Sequence, residues 1–234
     1  LAAVASRVPL CIDGVLRAAL SAWNHQPGPF GTTCSSALRL SRPSCRRIDN
    51  KGLQGTIEPG GWANLTHLQV VDVFSNDLSG TISPSWVLPA AFRQLAAYGN
   101  RLQGSIPPRW RLPNTTTTLW LYQNQLTGSI DPGWALPPSL IDLQLGQNQL
   151  NGSLSAAWHL PPGLCWLHLG DNKLTGTLPQ DWPIPQTLER VILSNNSFEG
   201  PLPLRWPLPL SLQVGGGCFW AAQKCRCGVG PGRW

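Results

Sequence analysis

The chain repeats itself every 24 residues, and the period is marked by Asn76, Asn100, Asn124, Asn148, Asn172 and Asn196. Two positions after each asparagine stands Leu or Phe (Leu78, Leu102, Leu126, Leu150, Leu174, Phe198), and two further on a glycine (Gly80, Gly104, Gly128, Gly152, Gly176, Gly200). Ile or Leu follows after another two (Ile82, Ile106, Ile130, Leu154, Leu178, Leu202), and a tryptophan stands ten past each asparagine (Trp86, Trp110, Trp134, Trp158, Trp182, Trp206). An earlier copy has Lys51 in the asparagine place but keeps Leu53, Gly55 and Ile57, with Trp62 one residue late. A degenerate eighth turn begins at Leu212 and dissolves into Gly215, Gly216 and Gly217. A unit this short cannot bury its own apolar face, whereas stacked units share one continuous core. The period therefore restricts the chain to a solenoid. It also reverses the reading of 24 glycines and 23 prolines, which without a period would indicate disorder.

Each unit has a legible local structure. Leu143 and Leu145, like Leu167 and Leu169, alternate with period two, as short strands do, and such strands stack as a parallel sheet. Counting back from each asparagine, positions −5 and −3 point into the core, and −6, −4, −2 and −1 face the concave surface. Stacked asparagine side chains, with two donors and an acceptor, can satisfy backbone groups exposed where each turn leaves its strand. The glycine four places on fits a bend that needs positive φ or close backbone approach. Proline at 89, 113, 137, 161, 185 and 209 excludes a regular α-helix from the convex segments, where irregular or 3₁₀ turns are expected. The +10 tryptophans take the place of a core leucine on the convex side.

The run Leu-x-x-Leu-x-Leu-x-x-Asn-x-Leu-x-Gly, followed by an aliphatic residue and Pro, as in Leu164 to Pro179, resembles the plant-specific class of leucine-rich repeats. That class occurs in receptor-like kinase ectodomains and polygalacturonase-inhibiting proteins. The resemblance runs from about Ile48 to Gln213. It implies an α/β-class solenoid, a right-handed superhelix with a parallel concave sheet. One departure is a Trp-x-Leu-Pro signature in place of the family's Leu-Gly-x-Leu, and here the repeats look like those of green-algal leucine-rich-repeat proteins. The expected organisation is an N-terminal capping region at 1–45, seven repeats of about 24 residues plus the start of the eighth at 46–213, and a cysteine-containing cap or tail at 214–234.

Within the first region, residues 14–24 have helical spacing, with Val15, Leu16, Ala19, Leu20 and Trp23 on one face and Asp13 as N-cap. This segment resembles the family's capping helix, and Cys34 and Cys45 resemble its N-cap cysteine pair, though more widely spaced. Cys218, Cys225 and Cys227 cluster past the last turn. Cysteines gathered at both ends of a solenoid argue for disulfides and an oxidising compartment; the rival zinc site has no common spacing and no clear fourth ligand. Cys11 either pairs in the N-terminal cap or stays free, and Cys165 reads as a small buried or lateral thiol. The chain begins at Leu1, as a fragment or processed form would. Ala3-Val4-Ala5 reads either as a signal-peptide cleavage site, with 1–5 its remnant, or as an arbitrary apolar start.

Sequons at Asn64, Asn114, Asn151 and Asn195 agree with an extracellular or cell-surface location, against the alternative of cytoplasm or cilium axoneme. No apolar run approaches the roughly 18–20 residues that span a bilayer. The net charge of +6 invites a nucleic-acid reading, but the basic residues gather near the two ends (Arg39, Arg42, Arg46, Arg47 and Lys51; Lys224, Arg226 and Arg233) without a nucleic-acid motif, as solvated basic ends.

The concave columns carry the functional expectation. The −2 column reads Asp49, Phe74, Tyr98, Tyr122, Gly146, Gly170, Ser194; the −4 column reads Arg47, Asp72, Ala96, Trp120, Gln144, His168, Ile192. Phe74, Tyr98 and Tyr122 should stack about 5 Å apart, with Trp120 beside Tyr122 and Trp166 in the −6 column two repeats on. The repeat requires aromatics at none of these places. They either shield the sheet by packing on one another or form, with His168, a strip that grips a protein or peptide partner. A carbohydrate such as wall polysaccharide, or a scaffolding role inside the cell of green-algal type, are the alternatives. Catalysis is not expected: His168, Asp171 and Ser194 share the face, but Ser194 lacks a glycine-framed elbow. Paired carboxylates, phosphate loops, metal-spaced histidines and cofactor motifs are all missing from the sequence.

Overall fold

The computed structural model describes residues 45–47, 52–57, 62, 65–201, 203, 206 and 213–214. The helix expected over 14–24, the segment 1–5, Cys11, Cys34, Cys218, Cys225, Cys227 and Asn64 lie outside the described residues, and Cys45 is described through its backbone alone.

Eight short parallel strands form the concave sheet: Cys45–Arg47, Val70–Asp72, Gln94–Ala96, Thr118–Trp120, Asp142–Gln144, Trp166–His168, Arg190–Ile192 and Gln213–Val214, each beside the strand of the next turn. Between the second and seventh of them the register is uniform, so Val71, Leu95, Leu119, Leu143, Leu167 and Val191 fall in one column. These residues are buried, as are Val73, Ala97, Leu121, Leu145, Leu169 and Leu193 two positions on, because period-two alternation sends both sets to the core side. The opposite faces of the same strands make the concave surface.

A second parallel array was not anticipated. Gln103–Gly104, Gln125–Ser129, Gln149–Ser153, Lys173–Thr177 and Ser197–Glu199 form a five-stranded sheet, and Gln54–Thr56 pairs with Asp77–Ser79. The glycine at +4 reads as a bend, yet Leu126 and Ile130 are buried around a partly buried Gly128, which is strand alternation running through the glycine. Positive φ is still required there: Gly104 has φ +78°, and a Cβ on it would lie 2.9 Å from Thr81 Cγ2.

The corner between the two arrays is held by the asparagines. Asn124 Oδ1 accepts the Leu102 N–H of the preceding turn at 3.0 Å, and its Nδ2 donates to the carbonyls of Ala97 and Leu121 at 3.0 Å each. The same bonds recur at Asn100 and Asn148. The residue before each asparagine is left-handed even where it is not glycine, with φ of 53–55° at Ser75, Gln123, Gln147, Asp171 and Asn195. Such a backbone is unfavourable for residues of this kind and persists where neighbouring bonds over-determine it.

On the convex side each turn closes with two bonds between residues three apart, as in Trp134 N–H to Asp131 O and Leu140 N–H to Pro137 O, and no α-helix occurs among the described residues. The tryptophans line up behind these turns with centroids 5.7–6.3 Å apart. Those from Trp86 to Trp206 are buried, and Trp110, Trp134 and Trp158 stack nearly face to face, at 5° and 11°. Among the described residues no helix is long and apolar enough to cross a membrane.

Candidate functional site

The concave sheet holds its side chains in straight files because consecutive strands pair without slipping. In the −2 file the rings of Phe74 and Tyr98 stack at 4.5 Å and 6°, and those of Tyr98 and Tyr122 at 4.3 Å and 9°. Both faces of Tyr98 are therefore occupied, and the column offers a partner its ring edges and hydroxyls. Trp120, one file over, meets Tyr98 edge-on at 6.2 Å and 64°. All four rings are half-buried. Packing and exposure thus coexist in the strip. Burial, and then the Tyr98 hydroxyl beside it, pushes the Tyr122 hydroxyl up to about 12.

The strip ends where the −2 file turns to glycine. A Cβ on Gly146 would lie 2.5 Å from His168 Nε2, so the imidazole occupies the space that a side chain at 146 would take. Burial holds His168 below the usual histidine range, against the opposing pull of Asp171 and Asp142. Ile192 stands in the same relation to Gly170, with Cγ2 2.9 Å from the place of a Cβ.

Polar residues tie the files together diagonally. Trp120 Nε1 donates to Asp142 Oδ2 at 2.8 Å, and Gln144 Nε2 reaches both oxygens of the same carboxylate at 3.1 Å. Two turns earlier in the stack, Gln94 Nε2 donates to Asp72 Oδ1 at 2.8 Å. Trp166 is the in-register partner of Asp142 on the next strand. It is 40% exposed, and the Arg190 guanidinium lies 5.1 Å from its ring centroid. Phe74, Tyr98, Trp120 and Tyr122 thus form one group, and Asp142 links them to Trp166 and His168. The sequence reading passed over Asp142; its signal was a carboxylate in the −6 file between Thr118 and Trp166, diagonal to the Trp120 indole.

Asn114, Asn151 and Asn195 are exposed, and Asn195 Nδ2 donates to Asp171 Oδ1 at 2.7 Å. Cys165 is a free, partly exposed thiol whose pKa is raised by burial, then by Glu189 and Asp142. Among the described residues no group of three or more His, Cys, Asp or Glu could hold a metal ion.

With concave files, asparagine corners and repeat motif in place, the solved structures that share this architecture can be compared. The Arabidopsis receptor kinase HAESA, solved with the peptide hormone IDA and the co-receptor SERK1, matches with a TM-score of 0.61 and 24% identity over 68% of this chain. PEPR1, solved as PEPR1-AtPEP1, matches with a TM-score of 0.61 and 28% identity over 68% of this chain. The chain is a leucine-rich-repeat solenoid of the plant type. The solenoid spans 26% and 22% of the length of those two chains. No family model matches it, and no curated protein does.

Proposed function

We propose that this solenoid is a non-catalytic recognition module that binds a protein or peptide on its concave face, outside the cell or at its surface. The observation that carries the reading is the file of stacked rings Phe74, Tyr98 and Tyr122, with Trp120 set edge-on beside it. The repeat requires no aromatic there; the same file carries glycine at 146 and 170 and serine at 194. Four half-buried aromatic rings on one rigid sheet supply apolar area at little cost in side-chain entropy, as binding anchors do. Trp166 and His168 extend the surface past Asp142. HAESA and PEPR1, which share the architecture, were solved with IDA and AtPEP1 respectively, and this supports a peptide as the class of partner. The exposed Asn114, Asn151 and Asn195, together with Asn64, serve as glycan acceptors in this reading, and the terminal cysteines as disulfide staples.

The experiment is a selection. A displayed peptide library is panned against the chain, and the binders are offered to the Tyr98→Ala/Tyr122→Ala variant, with circular dichroism confirming its fold. Binders should lose at least about 100-fold in affinity, the scale of two central aromatic anchors. Unchanged affinity overturns the reading.

A further inference from the structure

Among the described residues, Asp142 is, with Asp72, one of two carboxylates sunk into this surface. Its side chain stands on the concave side of a strand whose next residue, Leu143, is fully in the core, and only 9% of it is exposed. Its carboxylate takes hydrogen bonds from two neutral donors, the Trp120 indole and the Gln144 amide. Among the described residues no lysine or arginine contacts it. His168, the basic group close enough to act on it, is itself disfavoured as a cation by burial and is shared electrostatically with Asp171. A buried carboxylate without a counter-charge is costly, and a fold retains one where function uses it. The surroundings indicate the use. The Trp120 indole is fixed against one oxygen, the exposed Trp166 indole stands in register on the next strand, and Trp166 already accommodates a guanidinium in Arg190. Two indoles flanking a carboxylate suit a cation, which gains charge-assisted hydrogen bonds from the acid and attraction from the ring faces. The chain as a whole carries a net charge of +6, so this acidity is local to the groove rather than a general property of the molecule.

We propose that Asp142 receives a basic side chain, arginine or lysine, from the polypeptide bound on the concave face, with Trp120 and Trp166 as walls of that subsite. The inference rests on the concave-face reading and adds the chemistry of one partner residue. An acidic side chain at the same place would face repulsion, and a neutral one would leave the carboxylate buried and uncompensated.

The test uses the library peptides whose binding depends on Tyr98 and Tyr122. These should share a basic residue at a fixed position. Replacing it by glutamine, or arginine by citrulline, should weaken binding to the wild-type chain by roughly tenfold or more, as for a desolvated charge pair. The same replacement should change binding to Asp142→Asn by less than about twofold, since asparagine keeps an oxygen for Trp120 but has no charge to answer. The citrulline comparison on the unaltered chain stands even if the variant fails to fold. Strip-dependent peptides with no fixed basic residue, or a basic residue whose loss costs the same in both proteins, overturn the subsite and leave the concave-face reading standing. If no peptide depends on Tyr98 and Tyr122, both fall.

Discussion

Tyr122 lies flat on Tyr98, with ring centroids 4.3 Å apart and planes 9° from parallel. Phe74 covers the other face of Tyr98 at 4.5 Å. The middle ring therefore has two stacking partners and each outer ring has one. Tyr98→Ala should destabilise the solenoid by about 2–3 kcal/mol and Phe74→Ala by about 1–2 kcal/mol, given about 0.5–1.5 kcal/mol per aromatic pair beyond area burial. Tyr98→Phe should be close to neutral. Urea unfolding monitored by circular dichroism gives the ranking, and equal losses at the middle and end positions would show that the rings do not stabilise one another.

The asparagine corner makes a sharper demand. Asn124→Ala leaves the buried Leu102 N–H without its acceptor and takes one of two amide donors from each of the Ala97 and Leu121 carbonyls, which Asn100 and Asn148 still reach. At about 1–3 kcal/mol for a buried group left unsatisfied, with the weakened carbonyl bonds added, the loss should be about 2–3 kcal/mol. Asn124→Asp restores only the acceptor and should recover only part of it. Asn196, which is half-buried, should tolerate alanine better. The unfolding midpoints of the three variants test the order.

The tryptophan spine separates into two chemical classes. The indole N–H groups of Trp86, Trp110, Trp134 and Trp158 are buried without a hydrogen-bond acceptor, whereas Trp182 Nε1 donates to Trp158 O at 2.7 Å. Trp134→Phe loses ring area but also removes an unsatisfied donor; Trp182→Phe loses ring area and a bond. The second substitution should therefore cost more by about 1–2 kcal/mol, read from paired thermal or urea denaturation. Equal costs would mean that the Trp134 N–H is satisfied in solution.

Much of this was legible in the sequence, and the limits are instructive. The asparagine column, the core alternation of Leu143 and Leu145 and the stacked file from Phe74 to Tyr122 all follow from a fixed period, because each turn places the same residue in the same environment. The second sheet was missed because the glycine at 128 reads as a turn, although Leu126 and Ile130 around it keep strand alternation. The subsite at Asp142 was missed for a different reason. It depends on a diagonal contact between neighbouring turns, Trp120 to Asp142, that no single repeat contains. His168 was placed on the concave face, but its position over Gly146 depends on a side-chain conformation that column counting cannot give.

Asp142 also makes a pH-dependent prediction. Burial raises its pKa above the ordinary 3.8, a rise partly opposed by the bonds from Trp120 and Gln144 and by His168. A carboxyl raised in the folded state binds protons more readily there than in the unfolded chain. Its contribution to stability is thus complete below the unfolded value and is lost as pH rises through the folded one. Asp142→Asn should melt at a higher temperature than the wild-type chain at pH 7, and the advantage should vanish near pH 3. A variant less stable at pH 7 would show that the carboxylate stabilises the free fold and has no need of a cation.

The location of the partner is tested most directly by amide hydrogen exchange, with and without a peptide selected on the wild-type chain. Slowed exchange is expected in the concave strands Gln94–Ala96, Thr118–Trp120 and Asp142–Gln144 and in the bends that follow them at Tyr98 and Tyr122. The strands Gln125–Ser129 and Gln149–Ser153 of the second sheet should exchange as in the free chain. Protection confined to that second sheet, with the concave strands unchanged, would contradict recognition on the aromatic face.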